Sequence, residues 1–118
     1  MSSSDDFAYD PVQIYLREVG AVPPLTQDEE IELSRRVLAH DERSEPARIR
    51  LMEAHLAMVV SIAQRYANRG VDVLDLIQTG NTALLLALKK FEEDPKTSFA
   101  VHAAACAEAA IASAIAAS

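Results

Sequence analysis

The stretch Glu53–Glu92, EAHLAMVVSIAQRYANRGVDVLDLIQTGNTALLLALKKFE, decides the fold. Leu56, Val59, Val60, Ala63 and Tyr66 recur at three- and four-residue steps, which puts them on one helical face. Val73, Leu74, Ile77, Leu84, Leu88 and Phe91 repeat the pattern after Asn68-Arg69-Gly70. Gly70 suits a left-handed stop, Asp72 is a natural N-cap, and Asp75 adds negative charge to the first turn of the second helix. The stretch predicts a helical hairpin with a sharp corner.

Outward from that hairpin, the punctuation predicts three more helices. Asp10-Pro11 opens a short helix with Val12, Ile14, Tyr15, Leu16 and Val19 on its apolar side, and Gly20 ends it. Pro23-Pro24 holds an extended connector. Thr26-Gln27-Asp28-Glu29 is a capping box, followed by Ile31, Leu33, Val37 and Leu38 along a helix to about His40. Pro46 sits in the first turn of the helix that runs to about Asn68. After Glu93–Lys96, Thr97 or Ser98 caps a last, alanine-rich helix whose core candidates are Phe99, Val101, Ile111 and Ile115. No period-two strand pattern occurs. The expected fold is all-α, a compact bundle of about five helices forming a single domain over residues 10–118, with residues 1–9 a disordered leader.

Composition narrows the function classes. The chain has 118 residues, half of them hydrophobic, with 18 acidic against 11 basic and a net charge of −7. An acidic total argues against binding DNA chiefly through phosphates. One cysteine, Cys106, fits a reducing cytoplasm. The N-terminus lacks the pattern of a signal peptide, and Glu108 within the alanine-rich segment argues against a membrane span. No phosphate loop, HExxH motif or nucleophile elbow appears, so no enzyme and no cofactor are expected. His102 and Cys106 stand four apart and could supply half a metal site. Further ligands at suitable spacing are missing, so no metal is expected and a small buried cysteine is the simpler reading.

VVSIAQRYANRG followed by DLIQTGNTALLLALKKFE resembles the core-polymerase-binding part of region 2 in bacterial sigma-70 family factors. DPVQIYLREVGAVPPLTQDEEIELSRRV, Asp10 to Val37, is similar to region 1.2 of the same family, and the two matches stand in family order. The resemblance implies a transcription-initiation module that binds the clamp coiled coil of core RNA polymerase through Leu74, Asp75, Gln78, Asn81 and Leu85. It also implies nucleic-acid contact at Tyr15, Arg17 and Arg69. Departures sit where promoter DNA would be opened. His102, Ala105 and Cys106 occupy the positions of the family's aromatic cluster, Glu108 a basic position, and Asp94 and Pro95 those of expected arginines. Thr79 replaces an acidic residue in the polymerase-binding part.

Three readings follow. The first is a polymerase-docking modulator with impaired promoter melting, contacting promoter DNA weakly or indirectly and able to compete with a complete sigma factor. The second is a minimal DNA-binding sigma factor. The third is a homo-oligomeric protein reusing the fold, with a homodimer formed through the alanine-rich last helix. None involves a membrane.

Overall fold

The computed structural model describes residues 10–118. The expected leader, residues 1–9, lies outside them. Five helices follow in order: α1 Pro11–Gly20, α2 Gln27–Leu38, α3 Ser44–Arg65, α4 Val73–Glu93 and α5 Phe99–Ala117. Among the described residues there is no strand.

Four helices begin on the caps that their sequence supplies. Asp10 Oδ1 accepts from the Val12 N–H at 3.0 Å, with Pro11 at the first helical position. Thr26 and Glu29 close a reciprocal box: Thr26 Oγ1 accepts from the Glu29 N–H at 3.1 Å and Glu29 Oε1 from the Thr26 N–H at 3.0 Å. Those bonds hold the Glu29 carboxyl below its ordinary range. Asp72 caps α4 through the Leu74 N–H at 2.9 Å, and Ser98 rather than Thr97 caps α5 through the Val101 N–H at 3.3 Å.

The long helix differs at both ends from its expected bounds. It starts at Ser44, before Pro46, because the buried Ser44 hydroxyl organises the turn. Ser44 Oγ accepts from the Asp41 N–H at 2.9 Å and donates to the Arg36 carbonyl at 2.9 Å, fastening the α2–α3 corner. It ends at Arg65, three residues before Asn68. Asn68 at φ 66° and Gly70 at φ 92° are both left-handed, so the reversal is spread over two positions.

α4 is the central helix. It makes its broadest contact with α5 and packs also on α3, which in turn carries α2 and α1. Leu51, Val59, Leu76, Leu84, Leu88, Phe99 and Ile111 are enclosed at this junction. Three residues expected on apolar faces are not: Ile14 is 38 % exposed, Ile31 59 % and Val101 66 %. α2 rests mainly on α3, and Ile31 stands on the rim of an open groove that α2 shares with Phe91 and Ser98. On α5 the inward positions are Phe99, Ala103, Ala107 and Ile111, a four-residue step that leaves Val101 outside. α5 is long and apolar enough to cross a bilayer by length and composition, a test that core helices of soluble proteins also pass. Here Ala103 and Ala107 are buried in the bundle, and 22 % of the apolar window is enclosed.

Candidate functional site

α4 presents an outward face beside the α5 groove. Asp75 and Gln78 are exposed, and Leu85 and Leu86 are 55 % and 60 % exposed. Asp75, Gln78, Thr79, Thr82, Ala83 and Leu86, with Ala110 of α5, line a groove of about 520 Å³. Its neighbour, about 370 Å³, lies between Leu85, Leu86 and Lys89 and the Arg48–Glu92 pair, whose Nε–Oε1 distance is 2.6 Å. That carboxylate raises the Arg48 pKa further above its ordinary value. The face therefore offers one carboxylate, one amide and two leucines, with a fixed ion pair at its end.

The five polymerase-binding candidates divide. Asp75, Gln78 and Leu85 stand open, whereas Leu74 and Asn81 are half-buried. Asn81 Nδ2 donates to the Tyr15 hydroxyl at 3.0 Å, joining α1 to α4, and its Oδ1 is enclosed without a donor. Thr79 donates its hydroxyl to the Asp75 carbonyl at 2.9 Å, a bond inside the helix. Thr82 and Leu86 belong to the same outward row and were legible in the sequence as the next four-residue steps after Gln78.

The nucleic-acid candidates also separate. Arg17 and Arg69 are exposed, while Tyr15 is half-buried and engaged by Asn81. The Arg69 guanidinium lies 5.2 Å from the centre of the Tyr66 ring. Glu108, the one Asp, Glu, Lys or Arg of α5, points back at α3: its carboxylate accepts from Arg65 Nη2 at 2.6 Å and from the Tyr66 hydroxyl at 2.8 Å. Sequence periodicity gave no sign of this triad, whose partners are more than forty residues apart.

The hydrogen bond to Glu108 raises the Tyr66 pKa, with burial and the carboxylate charge acting the same way. The sign follows from linkage: the interaction is complete below the ordinary tyrosine range and is lost as pH rises through the folded value. Glu108→Gln is accordingly expected to let Tyr66 ionise at lower pH than in the wild type. Phenolate absorbance measures this, and an unchanged titration would contradict the triad.

On α5, Cys106 Sγ lies 3.7 Å from His102 Nε2, but among the described residues no group of three metal-ligating side chains assembles. No aromatic residue of α5 faces outward, since Phe99, its one Phe, Tyr or Trp, is fully buried.

Comparison with known proteins bears directly on this helical order. Residues 10–43 match the family model for sigma-70 factor region 1.2, and residues 51–118 match that for sigma-70 region 2. The chain belongs to the sigma-70 family. Over 94 residues, 80 % of the chain, it is 48 % identical to the RNA polymerase sigma factor SigA of a Bacillus species. It is 45 % identical to SigA of Lactococcus lactis subsp. cremoris and 49 % to that of Listeria monocytogenes over the same length. The match spans about a quarter of those relatives, 24 %, 26 % and 24 % respectively. In sigma-70 terms, α1 and α2 fall within the region 1.2 match, and α4 and α5 within the region 2 match.

Proposed function

We propose that this sigma-70 family chain docks on core RNA polymerase through the outward face of α4 and modulates transcription initiation. The supporting observation is the open set of Asp75, Gln78 and Leu85 beside Leu86, a mixed polar and apolar helix face suited to a basic partner helix pair. Leu74 and Asn81 support that face from below, Asn81 through Tyr15. The SigA relatives are named RNA polymerase sigma factors, and the same association in the cytoplasm is the simplest role for this chain.

Promoter opening is impaired on this reading. Capturing an unstacked base needs an exposed aromatic ring, each worth about 1–3 kcal/mol, and phosphates need cations. The outward side of α5 supplies neither, and its carboxylate neutralises Arg65 instead. The chain then occupies the polymerase and competes with other sigma factors, with promoter DNA contacted weakly or indirectly.

Binding to core polymerase tests the reading. Gln78→Ala with Leu85→Ala removes two exposed groups without touching the core, and is expected to weaken binding about tenfold or more. No binding by the wild type, or equal binding by the variant, removes the proposal. Polymerase-dependent capture of single-stranded promoter DNA would instead favour a minimal DNA-binding sigma factor. Exposure of Val101 on a neutral, small-residue side of α5 favours a further reading, self-association, which light scattering distinguishes.

A further inference from the structure

Leu74, Gln78, Asn81 and Leu85 follow one another along α4 at steps of four, three and four residues, one row on the helix surface. A partner helix resting on the open Gln78 and Leu85 therefore passes over Asn81. That residue is half-buried, and its cover comes from the other end of the chain. Asn81 Nδ2 donates to the Tyr15 hydroxyl of α1 at 3.0 Å, and Oδ1 is enclosed with no partner. Turning the amide over would let the phenol donate to Oδ1 and would leave Nδ2 as the unpaired atom. In either orientation the Tyr15 hydroxyl is the group that answers the amide.

α1 reaches this point with few other attachments. Val19 is its one buried residue, Tyr15 and Leu16 pack partly against the core, and its main contact is with α3. Among the described residues, the Tyr15–Asn81 bond is the one side-chain hydrogen bond from α1 to another helix.

An amide that loses such a partner has to be hydrated instead. The solvent side of Asn81 is the row between Gln78 and Leu85, so a freed amide would turn its polar end out there. A docking helix would then have to strip that hydration and immobilise the side chain before closing on Leu85. With the Tyr15 hydroxyl in place, the amide is already held.

Resting on the polymerase-docking reading above, we propose that Tyr15 is a positioning residue for that site. Its hydroxyl holds the Asn81 amide and keeps the middle of the α4 row ordered for the partner helix pair, without itself touching the partner. α1 acts on polymerase affinity through this one hydrogen bond.

Tyr15→Phe keeps the ring and removes the hydroxyl. It is expected to weaken binding of the whole chain to core polymerase about fivefold, mainly through faster dissociation. Binding is measured at a temperature where circular dichroism shows every variant fully folded. A merely structural hydroxyl would lower the unfolding midpoint and leave the affinity of the folded chain unchanged. In an Asn81→Leu background there is no amide to hold, and Tyr15→Phe is expected to change binding by less than about twofold. Full affinity in Tyr15→Phe, or an equal loss in both backgrounds, overturns the inference. If Gln78→Ala with Leu85→Ala loses binding in the same assay, the docking reading survives that failure, whereas no binding by the wild type removes both. Side-chain 15N relaxation of Asn81 gives a measurement without polymerase. An amide ordered in the wild type and mobile in Tyr15→Phe supports the positioning role, and equal order in the two overturns it.

Discussion

Phe99→Ala is expected to destabilise the chain by about 3–5 kcal/mol, a large part of the roughly 5–15 kcal/mol typical of a folded domain. The ring is fully buried where three helices meet, with His55 of α3 on one side and Phe91 of α4 on another. Truncation removes its contacts and leaves a cavity that its neighbours fill only in part. α5 has few other anchors, because Ala103 and Ala107 bring almost no side-chain area and only Ile111 is another large, fully enclosed side chain. The loss should therefore loosen α5 before the remaining bundle. Urea unfolding followed by circular dichroism measures the stability change, and Phe99→Leu, which refills part of the space, should lose less. A change below about 1 kcal/mol would mean that the ring is not seated at this junction.

How much of this was legible in the sequence depends on the range of the interaction. Asp10, Thr26 with Glu29, Asp72 and Ser98 act on N–H groups two or three residues away, so the punctuation of four helices can be read directly. The apolar steps of the hairpin are equally local, and Val59, Ala63, Ile77, Leu84, Leu88 and Phe91 are buried accordingly. Periodicity says which residues share a face, not whether a neighbour covers it. Ile31 shows the difference, since it is apolar and seven residues from Leu38 on the same helical face yet is largely exposed. The candidate site divides along the same line. Asp75 and Gln78 are exposed as a polar helix face should be. The engagement of Asn81 by Tyr15, 66 positions away, depends on how α1 folds back. Glu108 is a sharper instance: its sequence context marks a missing cation, whereas its structural role is to tie α5 to Arg65 and Tyr66.

Gly80→Val is expected to cost about 3 kcal/mol, and Gly80→Ala about 1–2 kcal/mol, although both residues favour a helix more than glycine does. Conformational freedom is not the reason for glycine here, because the position lies mid-helix in α4. A Cβ would come within 2.5 Å of Val59 Cγ1 on α3 and 3.0 Å of Ile111 Cδ1 on α5. Val59 is stiff at its branch point and fully enclosed, so it cannot turn aside as a flexible side-chain end could. The helices must separate instead, and the close approach of α3, α4 and α5 is what encloses Val59, Leu84 and Ile111. The gain of about 1 kcal/mol in helix propensity for alanine offsets only part of the overlap. Pairing Gly80→Ala with Val59→Ala discriminates overlap from other causes. If the collision with Val59 dominates, the double variant loses less than the sum of the two single changes, a coupling of about 0.5–3 kcal/mol. Strict additivity would show that α3 and α4 do not approach each other at Gly80.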